Sequence, residues 1–231
     1  MVERRDFPDG DALAAALAEA VATQLKSGIA ERGRASLAVS GGSTPARFFA
    51  ALGAREDIDW ARVVVTLVDE RWVDETSERS NARLVKSRLL QGPAAAAAFQ
   101  PLFGGGDEPG PTALATIESA LDHLPAPFDA VVLGMGTDGH TASFFPGGDT
   151  LAEALAGHAP LVAIRAPGAG EPRVTLSLIR LLATKALYVH IEGSDKAEVL
   201  RAALAGGPVE QMPVRAVLRQ SQVPVTVFWS P

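Results

Sequence analysis

An α/β fold, with a mainly parallel sheet and helices on both faces, is the architecture this sequence predicts. Three observations carry that expectation. Short, mostly apolar runs, such as Val63 to Val68 and Ala130 to Leu133, suit strands buried on both sides. Stretches with helical spacing separate these runs, with no repeat and no internal linker, so a single α/β domain over residues 1–231 is expected. Glycines or charges follow directly after several runs, which is where open α/β sheets gather their ligands.

Each element follows from its residues. Asp11 to Lys26 puts Leu13, Leu17, Val21 and Leu25 on one stripe, the pattern of a packing helix. Ser36 to Ser40 is a short strand, and Ala46 to Leu52 is a helix. Between them lies Gly41-Gly42-Ser43-Thr44-Pro45, with Thr44 expected as N-cap and Pro45 in the first helical position. Strand, glycine turn and helix N-terminus together form an anion site, to which Ser43 and Thr44 add hydroxyls. Val63 to Val68 is the next strand and ends in Asp69-Glu70-Arg71-Trp72. Charges there face the ligand crevice; a solvated Arg–carboxylate loop is the plainer reading. Ser80-Asn81 starts a helix that runs to about Leu90. Gln91 to Ala98 crosses into a loop, and Pro101 to Pro111 is loop by composition. Thr112 to Leu124 is helical, with Thr112 as cap.

The stretch Val131 to Pro146 carries the most chemistry. Its apolar run breaks into Gly134, Gly136 and Gly139, with Asp138-Gly139-His140-Thr141 in the middle. The three glycines match a dinucleotide fingerprint, but that motif opens a helix and has an acid roughly 20 positions on. Here Pro146-Gly147-Gly148 cuts the following segment, and the next strand, Leu161 to Ile164, ends in Arg165. What remains is a glycine turn that delivers one imidazole, a candidate general base, to a strand end; a substrate hydrogen bond or closure of the turn is the plainer reading of His140. Asp69 and Asp138 both qualify as the acid that orients it.

Beyond this stretch, Leu151 to Gly157 is a short helix, Gly168 to Pro172 a turn, Arg173 to Ser177 extended, and Leu178 to Ala183 helical. Ala186 to Ile191 is a strand. Gly193 to Lys196 opens a helix ending near Gly206-Gly207, with Ser194 as cap. Lys196 falls in its first turn, where a cation opposes the helix dipole and an anion would offset it. Pro224 to Trp229 closes the chain as a strand.

Composition narrows the function. The net charge of −6 argues against a nucleic-acid partner. The absence of cysteine removes disulfides, zinc–thiolate sites and thiol nucleophiles. No apolar run has membrane-spanning length, and the N-terminus MVERRDFPDGD has no apolar signal region, so a cytoplasmic protein is expected. Of the four histidines, no two have metal-ligand spacing. His123 ends a helix, His158 lies in a loop, and His190 reads as a core side chain. Without a GxSxG elbow, water is the simpler nucleophile.

Ser40 to Pro45, Asp69-Glu70-Arg71, Gly134 to Pro146 and Pro172 to Thr175 occur in an order that resembles the 6-phosphogluconolactonase family over nearly the whole chain. The resemblance implies a modified Rossmann-like sheet shared with glucosamine-6-phosphate isomerase. It implies hydrolysis of 6-phosphoglucono-1,5-lactone to 6-phosphogluconate in the oxidative pentose phosphate pathway, with no cofactor and no metal. The expected partner is the small-molecule sugar-phosphate lactone, with no nucleic acid or membrane, and a monomer or small homo-oligomer is expected. His140, Arg71, Asp69 and Asp138 are the expected catalytic residues. Gly41, Gly42, Ser43, Thr44, Arg173 and Lys196 are expected to hold the phosphate. The chain departs from the family after Val73, where Asp74 to Arg79 lacks the proline and histidine that members often carry. The rival enzyme, the isomerase, has a histidine loop resembling GHIAFNEP; here Thr141 to Pro146 lacks the glutamate before the proline. A non-catalytic sugar-phosphate-binding domain is the third reading.

Overall fold

The protein is described by a computed structural model over residues 2–231. Its strands are β1 (Val2–Asp6), β2 (Ala35–Val39), β3 (Val63–Leu67), β4 (Asp69–Arg71), β5 (Ala98–Gln100), β6 (Ala130–Leu133), β7 (Leu161–Ile164), β8 (Arg173–Leu176), β9 (Leu187–Glu192) and β10 (Val225–Ser230). Its helices are α1 (Gly10–Arg32), α2 (Ala46–Gly53), α3 (Asn81–Arg88), α4 (Pro111–Leu121), α5 (Leu151–Ala156), α6 (Leu178–Leu182), α7 (Ser194–Leu204) and α8 (Val214–Arg219).

The main layer is an all-parallel, seven-stranded sheet in the order β1-β10-β9-β6-β2-β3-β5. Every residue of β2 and β6 is buried, so both faces of the sheet centre are covered. From β2 the chain moves outward to β3 and β5, then returns to place β6 on the other side of β2. That reversal opens a crevice at the carboxyl ends of β2 and β6, where such sheets bind ligands. Ser40 stitches the two strand ends: its N–H donates to the Val132 carbonyl at 2.9 Å, and its Oγ accepts from the Gly134 N–H at 3.0 Å.

α1 shows how local sequence and packing agree. Asp9 caps it by accepting from the Ala12 N–H at 2.8 Å, and Gly33 ends it in the left-handed region at φ 76°. Its buried stripe contains the predicted Leu13, Leu17, Val21 and Leu25, although the helix runs past Lys26 to Arg32. Among the described residues, no helix is long and apolar enough to cross a membrane.

Several expectations need correction. The charged segment Val2–Asp6, to which no element was assigned above, is an edge strand paired in parallel with β10, because main-chain bonding at a sheet edge does not require apolar side chains. β7 and β8 do not join the parallel sheet; with β4 they form a three-stranded antiparallel sheet. Asp69–Arg71 is therefore strand rather than loop. Ala98–Gln100 pairs with β3 instead of crossing as loop. The expected caps also move. α2 begins at Ala46 behind an uncapping Pro45, which leaves Thr44 in the preceding turn. α4 begins at Pro111 after Gly110, since proline suits the first helical position, and α7 begins at Ser194 after Gly193.

Candidate active site

A cavity of about 270 Å³ lies over the β2–β6 crevice. All the predicted site residues line it except Asp138, which reaches it through His140. The glycines do not open a helix, so the dinucleotide alternative has no structural counterpart.

His140 is held from several sides. Its backbone N–H donates to Asp138 Oδ1 at 3.0 Å, and its Nδ1 lies 2.6 Å from the same oxygen. A carboxylate on Nδ1 fixes the proton there and leaves Nε2 as the basic nitrogen. Asp69 does not share this role geometrically, because its Oδ2 accepts from Ser143 Oγ at 2.5 Å. Burial pushes the Asp138 carboxyl up, but its bonds from the His140 ring and N–H, with the ring's charge, outweigh that and hold it down at about 2. Gly136 makes the geometry possible: a Cβ there would sit 2.1 Å from His140 Nδ1 and 2.5 Å from Asp138 Oδ1. The Phe145 ring packs 4.4 Å from the imidazole, centroid to centroid. Ala142, next along, is a non-glycine residue at φ 47° in the cavity wall, a costly conformation of the kind that clusters at functional sites.

Cations converge on the same cavity. Arg71 and Arg173 stand directly opposite each other across the β4–β8 pair. Like charges in that register repel, so an anion between them would be stabilising. Arg173 is buried, its guanidinium lies 5.5 Å from the Phe145 centroid, and Nη2 donates to the Ala169 carbonyl at 2.6 Å. Burial pushes its pKa down, with Arg71 adding to the shift against Asp69. The Nε groups of Arg71 and Arg173 are buried without a hydrogen-bond partner, a cost a ligand could relieve. Lys196 donates to the Met135 carbonyl, and burial lowers its pKa against the pull of Asp138.

Two cavity residues were missed by sequence reasoning. Asn81 knits the anion turn to the charged strand. Its Oδ1 accepts from Arg71 at 2.9 Å, and its Nδ2 donates to the Asp69 carbonyl at 2.9 Å. It also packs so closely on Gly41 that a Cβ there would fall 1.9 Å from Oδ1. His190, read as core, is indeed buried but lines the cavity.

Glu70 supports this framework from below. Its carboxylate accepts from the N–H groups of Arg71, Asn81 and Ala82 at 2.9, 2.7 and 2.7 Å, and from Ser80 Oγ at 3.2 Å. Burial pushes its pKa up in spite of those bonds. Glu70→Ala leaves several buried donors without an acceptor and is expected to lower unfolding free energy by roughly 1.5–3 kcal/mol. Glu70→Gln, which keeps one carbonyl, should lose less. Urea unfolding checks this; equal midpoints for wild type and Glu70→Ala would show that the bonds do not stabilise α3.

Among the described residues, no group of three or more His, Cys, Asp or Glu side chains could hold a metal ion.

Comparison with known proteins adds to this geometry. Residues 8–229 match the family described as glucosamine-6-phosphate isomerases/6-phosphogluconolactonase. The chain is 51% identical over 227 residues to a 6-phosphogluconolactonase of Rhizobium meliloti, covering 97% of each chain. It superposes on the crystal structure of a 6-phosphogluconolactonase from Shewanella baltica with a TM-score of 0.97 at 42% identity, covering 100% of this chain and 98% of that one. A monomeric glucosamine-6-phosphate deaminase shares the fold at a TM-score of 0.77 and 20% identity, covering 97% of this chain and 96% of that one.

Proposed function

The chain belongs to the glucosamine-6-phosphate isomerase/6-phosphogluconolactonase family, and from that premise we propose that it hydrolyses 6-phosphoglucono-1,5-lactone with His140 as general base. The observation that carries the reading is the Asp138–His140 pair, which faces a cavity lined by Arg71, Arg173 and Lys196. Nε2 of His140 takes a proton from water as its oxygen attacks C1. The same nitrogen returns the proton to the ring oxygen as the C1–O bond breaks. Asp138 holds the ring and stabilises the imidazolium between the two steps. Asp69 acts one step removed, by accepting from Ser143 in the turn that follows His140.

The phosphate is placed on Gly41, Gly42, Ser43 and Thr44, ahead of α2, with Arg173 and Lys196 neutralising it. Phosphate binding far from C1 helps hold the lactone in a reactive pose. Isomerisation would need a second acid to move a proton between C1 and C2. The residue before Pro146 is Phe145, packed on the imidazole, which disfavours that chemistry. The substrate, a small sugar-phosphate lactone, needs neither nucleic acid nor membrane. A cytoplasmic monomer or small homo-oligomer completes the proposal. Assaying lactone hydrolysis beside amino-sugar deamination tests the reading, and deaminase activity without lactonase activity would overturn it.

Arg71 is assigned to the oxyanion formed at C1. Its Nη1 is tied to Asn81 Oδ1 and to the Arg79 carbonyl at 2.6 Å, so the fork is fixed before substrate arrives. Arg71→Lys keeps the charge but loses the fork. It is expected to reduce kcat by up to about 10²–10³-fold, the range for removing an oxyanion donor. Unchanged kcat would remove Arg71 from a geometry-dependent role.

A further inference from the structure

We propose that His190 is a substrate contact that closes the phosphate end of the cavity by sharing one proton with a phosphate oxygen. The inference rests on the placement of the phosphate on Gly41 to Thr44. His190 lies on β9, one residue past the Val189–Leu133 pairing, at the level of Gly134 and the crevice. The ring is 3% exposed and lines the cavity. Phe48 of α2 packs against its edge at 6.1 Å between centroids. Its Nε2 lies 3.1 Å from Glu192 Oε1, while Glu192 Oε2 accepts from Arg47 Nη1 at 2.9 Å. Arg47 sits in the first turn of α2, immediately after the Gly41–Pro45 turn. The His190–Glu192–Arg47 chain therefore joins the cavity wall to the helix that presents the phosphate turn.

A satisfied core histidine explains only half of this arrangement. Glu192 fixes a proton on Nε2 and is the one hydrogen-bond partner of the ring among the described residues, which leaves Nδ1 for a ligand. Burial pushes the ring toward its neutral form, against the pull of Glu192. In that form Nδ1 is a bare acceptor, which a phosphate dianion would repel. One proton between them turns repulsion into a hydrogen bond. A phosphomonoester loses its second proton near pH 6 and an imidazole titrates near 6.5, so either partner can hold it. The charged groups around the ring favour the exchange. Glu192 on β9 steadies an imidazolium. Arg47 on α2, itself 3.2 Å from Asp11 of α1, neutralises Glu192. Lys196 on α7, with Arg71 and Arg173, draws the anion into the cavity. β10 presents the apolar Phe228 opposite.

Calorimetric titration of the 231-residue chain with 6-phosphogluconate near pH 8, in buffers of different ionisation heat, tests the proposal. Wild type is expected to take up as much as about one proton on binding, since phosphate and imidazole are both deprotonated at that pH. His190→Asn and His190→Gln should lose most of that uptake and bind about 10-fold more weakly, the scale of a hydrogen bond to a charged group. Gluconate, without the phosphate, should show no difference between the proteins. Uptake and affinity unchanged in a folded His190 variant would overturn the contact. Ser43→Ala reports separately on the phosphate placement. If it binds 6-phosphogluconate normally, the phosphate lies off the Gly41–Thr44 turn, and lost uptake in the His190 variants would still support the contact.

Discussion

His140→Ala is expected to lower kcat by about 10²–10⁴-fold, the contribution of a positioned general base. That range corresponds to roughly 2.7–5.4 kcal/mol of barrier. The effect should fall on kcat rather than on binding, because the cations and the Gly41–Thr44 turn remain in place, so 6-phosphogluconate should still bind. The imidazole must be neutral to accept a proton, so wild-type kcat/KM should fall once acid conditions protonate it. Asp138 cannot cause that acid limb, since its carboxyl is held at about 2. Asp138→Asn leaves the ring present but removes the charge that fixes its proton on Nδ1. Its kcat should fall as well, with the protein still folded. Rates must be corrected for spontaneous opening of the lactone. A folded His140→Ala protein retaining more than about a tenth of wild-type kcat would remove the base assignment.

The parts of the molecule that could be read from sequence are those whose side chains had to satisfy burial or backbone geometry. β2, β3, β6, β9 and β10 were legible because largely buried strands need predominantly apolar runs. β1 and β4 were not. They are held by main-chain pairing, and VERRD or DER pairs through its backbone as well as an apolar segment does. The antiparallel β4-β8-β7 sheet was hidden for a related reason. β8 follows a turn and looks like any short strand, and only its pairing with β4 brings Arg173 opposite Arg71. In the candidate site, the glycine turns stood out because close approach demands glycine, as at Gly136 beneath His140. The choice between Asp69 and Asp138 stayed open because Asp69 follows the end of β3 and Asp138 lies in the turn after β6, both at the crevice; the turn that bends Asp138 back onto the ring decides the contact. Asn81 was read as the start of a helix, which it is. Its contacts with Gly41, Asp69 and Arg71 depend on where β4 docks, which no local pattern encodes.

Replacing Lys196 and Arg173 together is expected to lower kcat/KM for the phosphorylated lactone by about 10²–10⁴-fold. Each charge-assisted hydrogen bond contributes roughly 1.5–3 kcal/mol, and their simple sum sets the scale from which coupling departs. If both side chains contact one phosphate, the single variants should show coupling, and their separate losses should not sum to that of the double variant. Lys196→Met tests the charge alone. Arg173→Lys guards against loss of the Ala169 contact, because the parent side chain is buried and donates to that carbonyl. Unphosphorylated gluconolactone provides the internal comparison, since its slower hydrolysis should change little in either variant. Burial lowers the Lys196 pKa, so the binding form of the ammonium is lost at a lower pH than for an exposed lysine. Wild-type kcat/KM should therefore decline on the alkaline side below the ordinary lysine range. Lys196→Arg, whose guanidinium stays charged there, should flatten that decline. Wild-type preference for the phosphorylated lactone in the Lys196→Met/Arg173→Met double variant would show that the phosphate binds elsewhere.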